Sequence, residues 1–81
     1  MKISPEILNL LEKGNILSIE ITYPNGGKVL GTIKKFKLVP IDMVLEKIEE
    51  GKQKSAKHHV VMDHITEMKI NLMDGTSKQF K

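Results

Sequence analysis

The chain is 81 residues long, carries 13 Lys/Arg against 10 Asp/Glu, and has no cysteine. That length permits one small core, because two could not each bury enough apolar surface to offset the entropy of ordering the backbone, and the missing cysteines exclude disulfides, thiolate metal sites and thiol nucleophiles. The formal charge of +3 favours an anionic partner such as nucleic acid, although 4% aromatic content leaves few platforms for stacking bases.

Met1-Lys2-Ile3-Ser4-Pro5 leads into a charged amphipathic stretch instead of an apolar signal core, and no apolar run approaches the roughly 20 residues of a membrane span. A cytoplasmic location is expected. Ser4 and Pro5 form an N-cap and first-turn pair, with Ile3 placed to staple onto Leu8. Ile7, Leu8, Leu10 and Leu11 recur at helical spacing and Gly14 ends the run, which predicts a helix over about 5–13. Such a helix is too short to persist alone, so it must lie on other structure.

From Leu17 the period changes to two: Leu17, Ile19, Ile21 and Tyr23 point one way, and Ser18, Glu20 and Thr22 the other. Pro24-Asn25-Gly26-Gly27 predicts a reverse turn, and Lys28 opens a second strand. In that strand Val29, Gly31 and Ile33 share a face, with Gly31 marking a bulge, a bend or a close backbone approach. Leu38-Val39-Pro40-Ile41 is expected to loop, since Pro40 cannot donate to a ladder. Asp42 to Glu50 fits two readings, a helix capped by Asp42 and stopped by Gly51, or a strand led by Met43-Val44-Leu45. Glu50 to His59 has almost no apolar content and reads as an exposed loop, the most basic window of the chain. Two alternating runs follow, Val60 to Ile65 and Met68 to Leu72, each expected as a strand. Asp74-Gly75 signals a turn, and residues 76–81 form a polar tail beyond a single domain of residues 1–75.

The short helix followed by Ile19-Glu20-Ile21, Asn25-Gly26, Gly31-Thr32-Ile33, Phe36 and Met43-Val44-Leu45-Glu46 resembles the first box of Sm and Sm-like proteins. Val60 to Met68 is similar to their second box and to the bacterial member Hfq, so the resemblance spans about Pro5 to Leu72. It implies a mostly β fold with a short N-terminal α-helix, an SH3-like barrel of five strongly bent antiparallel strands, and it tips Asp42 to Glu50 toward strand. It also implies a ring of copies, the fourth strand of one paired with the fifth of the next, holding RNA near a pore. The exposed edges of a small open barrel supply a physical motive for such pairing. The family's nucleotide pocket falls on altered residues. Asp42 stands where asparagine is usual and, as a carboxylate, only accepts hydrogen bonds. Pro40 falls at the stacking position, and Met62-Asp63 or Asp63-His64 falls at the Arg-Gly or Lys-His step.

Lys34, Lys35 and Lys37 on the second strand, with Lys52, Lys54 and Lys57 in the basic loop, are candidate RNA-phosphate contacts. Asp42, Met62 and His64 are carried over as candidate pocket residues. The competing reading is a solvated basic face, and the two clusters falling on one face would favour binding. His58, His59, His64 and Asp63 are metal-ligating types, but adjacent strand residues point apart, and no metal site is expected. Met43, Met62, Met68 and Met73 read as core filler. With no serine elbow, Gly-rich phosphate loop or paired carboxylates, neither an enzyme nor a cofactor nor a small-molecule substrate is expected. The expectation is an oligomeric RNA chaperone or scaffold that also pairs with copies of itself through edge strands. The alternative is an SH3-like protein-interaction or regulatory module, of a phage-encoded type, without RNA binding.

Overall fold

A computed structural model describes residues 4–38, 41–47 and 56–81. Helix α1 (Pro5–Lys13) begins where Ser4, in extended geometry, accepts the Ile7 N–H on its Oγ at 3.2 Å, and Pro5 occupies the first turn. It ends at Gly14, whose φ of 72° is the left-handed value that glycine adopts without strain. Ile7 and Leu11, one turn apart, are its buried residues.

Strand β1 (Ile16–Thr22) pairs antiparallel with β2 (Lys28–Leu38), aligning Ile19 with Gly31 and Ile21 with Val29. The turn between them is held by Tyr23 N–H to Gly27 O at 2.8 Å and by the Asn25 side chain accepting the Gly27 N–H at 2.9 Å. Strand β2 then pairs with β3 (Ile41–Lys47), which pairs with β4 (Lys57–Val60). A 3-10 turn over Met62–His64 leads to β5 (Glu67–Leu72), which returns alongside β1, and β6 (Ser77–Phe80) pairs with β5. The result is one open antiparallel sheet in the order β4-β3-β2-β1-β5-β6.

Alternate residues of these strands converge on one core. Ile19, Ile21, Met43, Leu45, Val60, Met68 and Ile70 meet Ile7 and Leu11 of the helix there. The sheet bends to enclose them. Strand β2 carries a register shift between Ile33 and Lys35, leaving Lys34 unmatched, and bulges of this kind bend a strand and increase its twist. Thr66 N–H reaches Thr22 O at 2.8 Å, and Tyr23 lies against His58 of the edge strand β4.

Several expectations are corrected. Among the described residues the sheet has six strands where five are predicted, because residues 76–81 are no loose tail: Asp74 Oδ1 accepts the Thr76 N–H at 2.9 Å, Gly75 takes φ 91°, and the chain folds back so that Phe80 pairs with Met68 beside the core. Val60 to Ile65 does not continue as a strand. Val60 closes β4, and after it the buried residues are Met62 and Ile65, whose spacing of three suits a 3-10 turn where alternation suggests period two. Lys57, His58 and His59 belong to a strand and not a loop, while 50–55 lie outside the described residues. Asp42 to Lys47 is strand, which removes the helical reading there, and 48–50 lie outside the described residues. Leu38 and Ile41, expected in a loop, belong to β2 and β3, and residues 39 and 40 between them lie outside the described residues. A register shift between Ile16 and Ser18 turns Leu17 outward, 58% exposed, and Met73 is 65% exposed, so neither is core. Among the described residues, no helix is long and apolar enough to cross a membrane.

Candidate nucleic-acid interface

Cross-strand partners share a face of a sheet, so the register of β2, β3 and β4 fixes which lysines stand together. Met43 and Leu45 point into the core opposite Val60 and His58. The residues between them therefore form the outward face. One row there is Lys37 with Asp42, the next is Lys35, Val44 and His59, and the third is Thr32, Glu46 and Lys57. Successive rows are about 6.6 Å apart, two rises of a strand. Lys34 is the unmatched residue of the bulge, next in sequence to Lys35, and Lys34, Lys35, Lys37 and Lys57 are all exposed.

Lys57 comes from the second basic cluster and Lys35 and Lys37 from the first, about twenty residues earlier. The sheet unites them. Lys52 and Lys54 of that second cluster lie outside the described residues. Four lysines on or beside the face stand against two carboxylates, Asp42 and Glu46. The Asp42 carboxylate is engaged by His59 Nε2 across the strand pair, which offsets part of its repulsion of an anion. Lys28, by contrast, sits at the far end of β2 and pairs with Glu20 at 3.6 Å.

Of the pocket residues carried over from the family resemblance, one lies in the core. Met62 is 7% exposed and belongs to the core, so it leaves the candidate set as a correction: the 3-10 turn rotates it inward beside Ile65. His64 and Asp63 are exposed on that same turn, and Asp42 stands on β3 with His59 as its partner.

His58 and His59 diverge as strand neighbours must. His58 points inward, its Nε2 hydrogen-bonded to the Tyr23 hydroxyl with the rings edge-on at 5.7 Å between centroids, and His59 points outward to Asp42. Burial lowers the His58 pKa below the usual imidazole value, helped by the positive charge of Lys47 and then of His59. Burial also raises the Tyr23 pKa. Both effects favour neutral groups at this contact, in which the tyrosine O–H donates to the unprotonated ring nitrogen. Its inward siting gives the pair a role in closing the curled sheet and none on the basic face.

Sequence reasoning misses one surface altogether. Leu17, Phe36 and Met73 are exposed and line a common groove. Their alternation or apolar character alone assigns them to the core; only the bulge in β1 and the position of Met73 after β5 turn them out. No protein-family model, curated protein or solved structure matches the chain, so its assignment rests on its own residues and geometry.

Proposed function

We propose that this chain is a non-enzymatic RNA-binding subunit of Sm-like character, acting as a chaperone or scaffold with an altered nucleotide pocket. The observation that carries the reading is the convergence of Lys35, Lys37 and Lys57, from two strands separated in sequence, on one outward face beside Lys34. A flat polar face of lysines holds phosphates without reading bases. With Asp42 engaged by His59 and Met62 in the core, base selectivity of the family's kind is not expected from this site.

The order of the strands bears on the edge-paired ring implied by the resemblance. Strand β5 is flanked by β1 on one side and β6 on the other, so it has no open edge for the fourth strand of a neighbour. The outer strands are β4 and β6, and each carries lysine, Lys57 and Lys78, a device that discourages edge pairing.

The test is binding of a labelled single-stranded RNA as salt is varied. Three to four phosphate contacts predict a log–log slope of about −2 to −3, and Lys35→Glu, Lys37→Glu and Lys57→Glu together should lower affinity at least about tenfold and flatten that slope. Equal binding by the triple variant would remove this face from the mechanism, and no binding by the unaltered chain at low salt would end the RNA reading. The second reading, a protein-interaction module, is favoured by the exposed apolar groove of Leu17, Phe36 and Met73.

A further inference from the structure

Three of the five large apolar side chains exposed among the described residues, Leu17 (58%), Phe36 (43%) and Met73 (65%), line one groove of about 370 Å³. They come from β1, β2 and the turn after β5, and converge beside the C-terminal end of α1, where Leu11 forms part of the groove. Their presentation is fixed by the backbone. The shift between Ile16 and Ser18 turns Leu17 out, and the Met73 N–H donates to Asn15 O at 3.0 Å, tying the methionine's main chain to the exit of the helix. Scattered exposed apolar residues need no explanation, but a contiguous set held this way marks a contact surface.

We infer that this end of the fold is a two-fold contact surface for a second copy of the chain, each copy's Met73 entering the groove formed by Leu17 and Phe36 of the other. Three features of the surface select that occupant. Met73 lies between two hollows: the groove just described and a second one of about 520 Å³ lined by Leu10, Leu72, Lys13, Asp74 and Lys78. A projection and a recess on the same patch suit a two-fold contact, because where residue i of one copy meets residue j of the other, j also meets i. Methionine suits the role of the projection, being unbranched and able to fill an irregular recess.

The rim supplies the second feature. It carries both signs of charge, Lys13 and Lys78 with Asp74, Lys78 also pairing with Glu6 at 3.0 Å, and the proposed two-fold contact sets Lys13 against the other copy's Asp74. A surface of one sign would repel itself. Hydrogen bonds from the Thr76 side chain and backbone lower the Asp74 pKa, which favours its charged form. The third feature is size: a domain this small leaves a large share of its apolar surface unburied and gains stability from association.

The inference does not rest on RNA binding. Phe36 aligns with the buried Met43, on the other side of β2 from Lys35 and Lys37, although it borders a hollow of about 250 Å³ with them, so the lysines are not themselves part of the groove. It also does not use the strand edges.

The experiment is the mass of the full chain by sedimentation equilibrium, without RNA, from micromolar to millimolar concentration. A monomer–dimer equilibrium is expected, with no larger species. Met73→Glu and Leu17→Glu, both at exposed positions, should each raise the dimer dissociation constant at least about tenfold while leaving the thermal unfolding of the dilute monomer unchanged. Asp74→Asn keeps the oxygen that accepts from Thr76 but removes the charge, and should weaken the dimer several-fold and reduce its salt dependence. A chain that stays monomeric at millimolar concentration overturns the inference, as does association that survives Met73→Glu or proceeds past two copies. Because the readout is mass alone, its failure leaves the basic-face reading standing, and the reverse holds as well.

Discussion

The contact between Tyr23 and His58 links the end of the first strand to the fourth, across a sheet in which two other strands lie between them. It therefore reports on the bend of the whole sheet. Removing the hydroxyl in Tyr23→Phe should cost about 1 kcal/mol, the usual net worth of one hydrogen bond. The pH dependence has a definite sign. His58 binds a proton less readily in the folded chain than in the unfolded one, because burial and then the Lys47 and His59 charges lower its pKa from 6.5. Stability is thus fully present above that unfolded value and is lost as pH falls below it through the lowered folded value. Melting temperatures measured between pH 7.5 and pH 5 should fall toward the acid end, and His58→Gln should flatten that fall. A decline of the same size in the variant would assign the effect to other groups.

Strand β2 owes its shape to two local features, one of which the sequence announces. Gly31 sits on the core face opposite Ile19, and a Cβ at that position would lie 2.7 Å from the Glu46 carbonyl oxygen and 3.1 Å from the Leu45 Cβ. The obstacle is backbone, so it cannot swing aside. Gly31→Ala should destabilise the fold by about 1–3 kcal/mol, the range for overpacking a tight interior, measurable by chemical denaturation; an unchanged midpoint would show that β2 and β3 can separate freely. The other feature, the bulge at Lys34, has no comparable sequence signal. It matters because it sets Lys35 and Lys37 outward and Phe36 toward the side of Met43. One residue more or less in that strand would exchange the two faces.

For the molecule as a whole, β6 decides what the sheet can do. It covers the edge of β5 and brings Phe80 against the core. Ending the chain after Gly75 should lower the melting temperature by about 10 °C, since losing a partly buried aromatic costs about 1–2 kcal/mol and a domain of this size shifts several degrees per kcal/mol. The shortened chain should also self-associate through the uncovered strand, seen as increased light scattering. If melting and scattering both stay as in the full chain, β6 is an appendage and the β5 edge is protected by something else.

The amino-acid sequence by itself determined the elements whose physics is local. The helix from Pro5 to Lys13 follows from its cap, its apolar spacing and its closing glycine, and the first hairpin follows from Asn25-Gly26 between alternating runs. Gly31 was legible as a bulge, a bend or a close approach, and the Glu46 carbonyl beside it makes it the last. Tertiary structure decided what depends on register and on distant partners. Whether Met43 to Lys47 is strand, whether the last residues pair with β5, and whether Met62 points in or out are settled by partners on other elements of the fold. So are the grouping of Lys57 with Lys35 and Lys37 and the exposure of Leu17 and Met73. The reason is the same in each case: a side chain's face in a sheet is fixed by parity along the strand, and a bulge changes parity at a cost that only the folded partners can offset.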